Sequence, residues 1–300
     1  MIARAPGKLV LSGAYAVLWG APAIVTAVDR YVSADSSRPA GFVTPEVLAA
    51  LGVQTPAPYF DASELRSERG KLGLGSSAAI LVASLGALQA SPLGEVALMR
   101  LVARAVHAHR EAQGGGSGID VLASALGGTL VARTTENGPH ATHVTLPAGL
   151  DWSVWFSGHS TSTSMMLSQV KRLEAVEPQC FQAIFAPHLQ ASEDAARAVE
   201  ANDANGLLSA LEVQRQQLFL LGEAAKISIV TREMKELHEV AASESALCMP
   251  SGAGGGDVLL RIGRTPPSAS FRLRATELGF EHLPLELGAR GLHFTQPQAS

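Results

Sequence analysis

The feature that most constrains this fold is the run Lys71-Leu72-Gly73-Leu74-Gly75-Ser76-Ser77-Ala78-Ala79, which passes from glycines directly into a helix of small residues. Glycine lets the backbone approach a ligand closely, and the N-terminus of the following helix carries about half a positive charge. The junction therefore predicts a phosphate site, with serine hydroxyls suited to complete a phosphate or Mg²⁺ shell. It lacks the lysine of a P-loop and the third glycine of a dinucleotide fingerprint. The alternative is an ordinary Gly/Ser helix cap.

The first half of the chain contains strand and helix patterns around this loop. Residues 8–18 and 23–34 show partial period-2 alternation on either side of Gly20-Ala21-Pro22, which predicts a β-hairpin with Lys8 at the entry of its first strand. The further elements predicted are a short helix over 45–51, a strand over 60–65, helices over 77–89, 94–111 and 119–126, and a strand over 129–133.

The second half is predicted to be richer in helix. Its predicted elements are a strand over 153–157, helices over 192–199, 204–221 and 227–242, a strand over 258–262, a helix around 268–278 and a last strand near 282–287. Strands with helices between them predict an α+β fold with helices layered on a sheet. A chain of 300 residues suits two cores. Periodicity lapses over 138–150, so the boundary is placed there, giving domains 1–147 and 148–300.

Charge and cysteine content narrow the function classes. The formal net charge is -4, which provides no global basic field for nucleic acid or for an anionic membrane. No run of about 18 apolar residues is present to span a bilayer. Cys180 and Cys248 are far apart and lack zinc-ligand spacing, which is typical of a chain in a reducing compartment. We therefore expect a cytoplasmic protein that holds any anion in a local site.

Two more glycine-rich segments precede a carboxylate or contain one. Asp120 follows Gly114-Gly115-Gly116-Ser117-Gly118 at the start of a short helix, where a carboxylate is well placed to accept a hydroxyl proton or to orient a nucleophile. The helix dipole alone is an alternative reason for an aspartate there. Ser251-Gly252-Ala253-Gly254-Gly255-Gly256-Asp257 has more glycine than a turn requires, which indicates a close approach, although a tight packing loop is the alternative.

Lys8 is the remaining candidate for chemistry. It lies within Ala5-Pro6-Gly7-Lys8-Leu9, in a region otherwise poor in charge. A lysine at this position is suited to neutralise charge on a transferred phosphoryl group. A solvated lysine at a strand end is the alternative.

These motifs, in this order, resemble those of the GHMP kinase superfamily, and within it the phosphomevalonate kinase family. The resemblance is carried by the opening segment 5–18, the loop 73–79 and the glycine run 251–257, with support from Ala112-Gln113-Gly114 and from Ser157 to Thr163. It implies an N-terminal domain similar to ribosomal-protein S5 domain 2, a ferredoxin-like C-terminal domain and an active site between them. It also implies ATP and Mg²⁺ as cofactors.

The resemblance implies a role for each matching residue. Lys8 and Asp120 are expected to be catalytic, Lys8 at the transferred phosphoryl group and Asp120 at the acceptor. Residues expected to bind the nucleotide are Gly73, Leu74, Gly75, Ser76, Ser77 and Ala78, and Ser77 is also expected to contact Mg²⁺. Residues expected to bind the acceptor or shape its side of the cleft are Lys71, Arg110, Ser117, Gly118, His159, Ser160, Ser251, Gly252, Ala253 and Gly254.

The implied reaction is phosphorylation of (R)-5-phosphomevalonate to the diphosphate by ATP, in the mevalonate route to isoprenoids. A mevalonate kinase or another small-molecule alcohol kinase of the same superfamily is an alternative. A nucleotide-binding regulatory relative without catalytic activity is an alternative of another class. The motivation for it is that Ala14 and Gly115 depart from the motifs of relatives and that the span before Gly73 is short.

Overall fold

The structure, a computed structural model, describes residues 1–90, 93–136 and 138–295. In the first half the strands are β1 (Ile2–Ser12), β2 (Ala23–Pro39), β3 (Pro58–Asp61), β4 (Arg66–Ser67), β5 (Gly70–Lys71), β6 (Thr129–Thr135) and β7 (Gly138–Val144). The helices are α1 (Pro45–Leu51), α2 (Ser76–Ala87), α3 (Glu95–Gln113) and α4 (Ile119–Leu126), and 3-10 turns cover Ala16–Trp19 and Ser63–Leu65.

The second half continues this order with a second sheet. The strands of this half are β8 (Asp151–Phe156), β9 (Leu247–Pro250), β10 (Val258–Gly263), β11 (Glu281–Leu283) and β12 (His293–Thr295). Its helices are α5 (Thr163–Val176), α6 (Pro178–Glu200), α7 (Ala204–Ala225), α8 (Arg232–Ser243) and α9 (Ala269–Glu277).

The first sheet has the order β12-β1-β2-β6-β7, with β3 also paired to β2, and its pairs are antiparallel. Helices α2 and α4 pack on it. Nearly every residue of α2 from Ala78 to Ala87 is buried, which explains why its sequence is apolar on all sides. This burial fixes the start of α2, and hence the glycine loop before it, against β1.

The second sheet has the order β11-β8-β10-β9, again antiparallel. Helices α5 to α8 lie in sequence between its first and second strands and α9 between its third and fourth, which is the βαββαβ arrangement of ferredoxin-like domains. The mixed α/β fold with two domains is thus confirmed. The first sheet contains β7 and the second begins at β8, whereas β12 returns to pair with β1; the division after residue 147 stays a prediction.

Several element predictions are wrong in their bounds. Lys8 lies in the middle of β1 rather than at its entry, and β1 ends at Ser12, so 13–18 is not strand. Only the start of 60–65 is strand, because a 3-10 turn follows Asp61. Residues 138–144, where the periodicity lapses, form a polar strand paired with β6 rather than a linker, and its residues are half-exposed or exposed. The strand near 282–287 ends at Leu283, before Pro284, which lacks an N–H donor.

The helices of the second half also differ from prediction. The pattern at 192–199 is only the end of α6, whose internal Pro187 obscured its first half, and α5 was not predicted. The predicted helix at 227–242 begins late, because Lys226 ends α7 in the left-handed conformation and Thr231 caps α8. Within the described ranges, no helix combines the length and the apolar character needed to cross a bilayer.

Candidate active site

A cleft of about 670 Å³ is lined by residues from both halves of the chain. Its walls bring together β1 and the turn that follows it, the glycine loop before α2, the glycine loop before α4, the N-terminal end of α5 and the glycine run after β9. Segments separated by more than a hundred residues in sequence therefore face one space. The predicted motifs converge in this cleft.

The glycine loop before α2 is shaped by contacts that leave no room for a Cβ atom. Gly73 and Gly75 have φ of 72° and 75°, which is the left-handed region. A Cβ on Gly75 would lie 2.8 Å from Cε of Lys8, and a Cβ on Gly73 would lie 2.6 Å from Cβ of Asp257. Glycine is required at both positions for the loop to pass this closely over the two side chains. Ser76, Ser77 and Ala78 then form the first turn of α2, at the cleft.

Lys8 and Asp120 form an ion pair in the cleft. The distance from Nζ of Lys8 to Oδ2 of Asp120 is 3.4 Å, and the side chains are 10% and 32% exposed. The backbone N–H of Lys8 donates to the carbonyl of Leu74 at 2.8 Å, which attaches β1 to the glycine loop. Asp120 is in the first turn of α4, and Gly118 before it has φ of 82°. A cation and a carboxylate thus lie beside a helix N-terminus that favours phosphate.

Asp257 is a second cleft carboxylate, and it was not predicted as a site residue. Burial raises the pKa of its carboxyl group, and the positive charges of Lys8 and Lys71 act in the opposite direction. Among the described residues, its Oδ1 is buried and has no hydrogen-bond partner. The backbone N–H of Asp257 donates to the carbonyl of His159 at 2.6 Å. The cleft therefore has two carboxylates and two lysines within one charge network.

Glu46 connects the glycine loop of α2 to the end of α3. It is 5% exposed in the first turn of α1, and Nε2 of Gln113 donates to its Oε1 at 2.8 Å. Burial raises the pKa of Glu46, but hydrogen bonds from Gln113, from its own backbone and from the hydroxyls of Thr44 and Ser77 lower it below its usual value overall. The Ser77 hydroxyl is thus one of the groups that stabilise the negative charge of Glu46 behind the start of α2.

The opposite wall comes from the N-terminal end of α5 and is rich in hydroxyl groups. Ser162 caps α5, accepting from the backbone N–H of Met165 at 3.4 Å, and the hydroxyl of Thr161 donates to the carbonyl of Gly255 at 2.7 Å. Lys171 lies two turns further along the same helix and is exposed. The residues of this wall that line the cleft are Ser160, Thr161, Ser162, Thr163, Ser164, Leu167, Ser168 and Lys171.

The glycine run after β9 is attached to β1 and to the turn after it. The hydroxyl of Ser251 accepts from the N–H of Val10 at 3.0 Å and donates to its carbonyl at 3.1 Å. The hydroxyl of Tyr15 donates to the carbonyl of Ala253 at 2.6 Å, and burial strongly raises the pKa of this phenol. Ser251, Gly252 and Ala253 therefore line the cleft next to Tyr15.

Most of the predicted site residues do meet in the cleft. They are Lys8, Lys71, Gly73, Gly75, Ser76, Ser77, Ala78, Ser117, Gly118, Asp120, Ser160, Ser251, Gly252 and Ala253. Cleft residues that were not predicted include Tyr15, His109, Gln113, Asp257 and Lys171. The Ser/Thr run at 160–164 is typical of a helix N-terminus. It was the sequence signal that could have predicted α5, and with it a place for Lys171 in the cleft.

Four predicted residues do not line the cleft. The side chain of Leu74 is buried in the core, and the guanidinium of Arg110 donates to the carbonyls of Gly116 and Ser117, both at 2.9 Å, so it shapes the loop from behind. His159 contributes its carbonyl to Asp257. Gly254 is turned to Ile229, whose carbonyl oxygen would lie 2.2 Å from a Cβ at that position.

The cleft offers oxygen donors that fit a nucleotide-bound Mg²⁺. In the part of the chain that the structure describes, no group of three or more His, Cys, Asp or Glu side chains is placed to hold a metal by itself. Mg²⁺ in phosphoryl-transfer sites is held by one or two protein oxygens together with the phosphates of the substrate and water. The hydroxyl of Ser77 and the carboxylate of Asp120 both line the cleft and meet this need.

Comparison with known proteins finds a family model and full-length relatives to which this chain is similar. Residues 65–128 match the family model of the GHMP kinases N terminal domain. The chain is similar to a phosphomevalonate kinase of Streptomyces sp. (strain CL190), with 25% identity over an alignment 367 positions long that covers 97% of this chain and 98% of the relative. It is 29% identical over 293 residues to a mevalonate kinase of Archaeoglobus fulgidus, covering 90% of this chain and 95% of the relative.

Among solved structures, the chain is similar to Streptococcus pneumoniae phosphomevalonate kinase in complex with phosphomevalonate and AMPPNP. The TM-score is 0.76 and the identity 21%, with 96% of this chain and all of the other chain covered. At this identity the likeness establishes the fold.

Proposed function

We propose that this chain, which matches the GHMP kinases in its N-terminal domain and is similar to one of them in fold, transfers the γ-phosphoryl group of ATP to the phosphate of (R)-5-phosphomevalonate. The product is the diphosphate of mevalonate, and the enzyme works in the cytoplasm on the route to isoprenoids. The similarity to a phosphomevalonate kinase over nearly the whole of both chains supports this acceptor.

The single observation that carries the proposal is the Lys8–Asp120 pair, 3.4 Å apart, next to the glycine loop. The backbone N–H groups at the start of α2 are suited to hold the phosphates of the nucleotide. Lys8 is placed to neutralise charge on the phosphoryl group during transfer. When bound, Mg²⁺ supplies further neutralisation of the phosphates, with Ser77 and Asp120 as its protein donors.

A phosphate acceptor changes what Asp120 has to do. A phosphomonoester has its second pKa near ~6, so it is already mainly a dianion at neutral pH and its oxygen needs no base to become nucleophilic. Asp120 then orients the acceptor rather than removing a proton. Bringing two polyanions, ATP and phosphomevalonate, into one cleft requires cations. Lys71 and Lys171 line the cleft together with Lys8, in a chain whose net charge is -4.

The test is an ADP-release assay of the purified protein with phosphomevalonate and with mevalonate as separate acceptors. We expect kcat/KM with phosphomevalonate to exceed that with mevalonate by at least ~100-fold, because mevalonate carries no phosphate for the lysines to bind. Equal or preferred use of mevalonate would contradict the proposal.

A mevalonate kinase is the second candidate, and the similarity to the Archaeoglobus fulgidus enzyme favours it. The acceptor would then be an alcohol, and Asp120 would have to accept its proton. A nucleotide-binding relative without activity is the third candidate, and ATP binding without ADP release on either acceptor would support it.

A further inference from the structure

The segment Ser12–Trp19 leaves β1 and forms one side of the cleft, yet it is held mainly by helices of the second half of the chain. Ala14, Tyr15, Val17 and Leu18 of this segment line the cleft. Behind it lie α6 and α7, whose buried polar side chains His188 and Gln214 bond to the segment. Neither of them lines the cleft.

Gln214 uses both ends of its amide to hold the segment. The side-chain carbonyl accepts from the backbone N–H of Gly13 at 2.8 Å and from the hydroxyl of Ser12 at 3.2 Å. The amide nitrogen donates to the oxygen of Ser12 at 2.8 Å and to the carbonyl of Ala191 at 3.0 Å. The residue is 0% exposed, so losing these bonds would leave buried polar groups without partners.

His188 holds the next residue of the segment. Its Nε2–H donates to the carbonyl of Ala14 at 2.7 Å, since a carbonyl can only accept. The side chain is fully buried, and its Nδ1 has no hydrogen-bond partner among the described residues. Among the described residues, the imidazole therefore makes one hydrogen bond, to the Ala14 carbonyl.

The conformation of the segment needs such support. Tyr15 has φ of 63° and ψ of -51°, a backbone conformation that costs a non-glycine residue about 1–3 kcal/mol and persists only where its surroundings impose it. In this conformation the Tyr15 hydroxyl reaches the carbonyl of Ala253. Trp19, at the end of the segment, packs on Phe185 with ring centroids 4.8 Å apart. Helix α6 thus supports the segment at both ends.

We infer that Gln214 and His188 are positioning residues that set the affinity for the acceptor by holding Tyr15 in its strained conformation against the glycine run. The inference rests on the proposed function, because it assigns the Tyr15 side of the cleft to the acceptor. The side-chain hydrogen bonds that these two residues make within the described part of the chain go to Ser12, Gly13, Ala14 and Ala191, and none goes to the nucleotide side at the start of α2.

The experiment compares four variants of the full-length protein. In Gln214→Met and His188→Leu we expect the KM for phosphomevalonate to rise about tenfold, equivalent to the loss of one buried hydrogen bond, while the KM for ATP changes less than about twofold. In His188→Gln the new amide can still donate to Ala14, so the acceptor KM should return to within about threefold of wild type. Gln216→Met is the matched control, because Gln216 lies on the same helix but is exposed, and its side chain bonds the exposed side of that helix at Glu212 rather than the segment 12–19.

Hydrogen exchange of the peptide covering residues 12–19 provides a readout that needs no acceptor. Exchange there should be at least about tenfold faster in Gln214→Met and His188→Leu than in wild type and in Gln216→Met. Should either variant fail to fold, Ser12→Ala, a smaller change in the same network, takes its place with about a threefold rise in the acceptor KM expected.

The outcomes separate the inference from the proposed function. Unchanged acceptor KM and unchanged exchange over residues 12–19 would overturn the inference even if wild type phosphorylates phosphomevalonate. Equal rises in the KM for ATP and for acceptor would also overturn it, since they indicate a general loss of structure. Wild type without turnover on phosphomevalonate would overturn the proposed function, and faster exchange in the two variants would then still support the positioning role.

Discussion

One wall of the cleft is buried and attached through its backbone, whereas the wall formed by the N-terminal end of α5 is exposed and attached through few side chains. Lys8 is 8% exposed, and its backbone N–H bonds the glycine loop. Ser162, Ser164 and Lys171 on the other wall are all exposed. The two walls nevertheless face the same space.

The difference in burial between the two walls indicates which charged residues act in catalysis and which bind the acceptor. A buried wall tolerates few substitutions, because its side chains are closely packed: Lys8, for example, leaves no room for a Cβ atom on Gly75. An exposed wall can exchange hydroxyls and charges without disturbing the core. We therefore expect the charged pair Lys8 and Asp120 on the buried wall to affect turnover, and Lys171 on the exposed wall to affect mainly acceptor binding.

The largest effect is expected at the buried wall itself. Lys8→Ala and Asp120→Ala should each lower kcat by at least ~100-fold, because each removes a charge that contacts the reacting groups. The measurement is ADP release at saturating substrates, together with thermal unfolding to establish that the fold is intact. If either variant kept more than about a tenth of wild-type kcat, the assignment of chemistry to this wall would be wrong.

The next effect concerns the support behind the buried wall and depends on pH. Burial lowers the pKa of His188 from 6.5 to about 4. The unfolded chain therefore binds a proton below pH 6.5 that the folded chain resists until about pH 4, so stability falls as the pH is lowered through this window. Between pH 7 and pH 5 the loss from this residue is about 2 kcal/mol.

The measurement is the free energy of unfolding by urea at pH 7 and at pH 5. His188→Gln, which has no titratable group, should lose about 2 kcal/mol less than wild type over the same range. Equal losses in the two proteins would show that His188 is not held neutral in the folded state.

A smaller effect is expected on the exposed wall. Lys171→Ala should raise the KM for phosphomevalonate about tenfold and leave kcat within about threefold, because a solvated ammonium contributes binding to a phosphate more than it contributes chemistry. The change should diminish as salt is added. Arg172→Ala is the matched control, since Arg172 is the next residue, also exposed, and does not line the cleft. A kcat loss as large as that of Lys8→Ala would remove the distinction between the walls.

The smallest effect is expected at Glu46, behind the nucleotide side of the buried wall. In Glu46→Gln the charge is lost but the shape is kept, so the Ser77 hydroxyl loses a negatively charged neighbour and is held less firmly. We expect about threefold weaker binding of ADP in the presence of Mg²⁺ and no change in EDTA, measured by calorimetry. A loss that is equal in Mg²⁺ and in EDTA would contradict this role.

The buried wall could be predicted from sequence and the exposed wall largely could not. Gly73, Gly75, Lys8 and Asp120 are each part of a short pattern in which glycine or a helix start is physically required. Lys171 belongs to α5, which was not predicted, because the helix packs through few buried residues and its pattern is weak. Asp257 was seen as the end of a glycine run, but its burial and its proximity to Lys8 depend on how the two sheets are placed.

The sequence by itself determined the glycine loops, the helix that follows each of the first two and the strands with helices between them. It also determined the presence of Lys8 and Asp120 among the candidates, because all of these depend on local conformational preference and short spacing. Only the tertiary structure decided that Arg110 and His159 do not line the cleft, that Lys171 does and that Gln214 and His188 hold the segment around Tyr15 from behind. Those outcomes depend on contacts between residues far apart in the chain, and local pattern carries no information about such contacts.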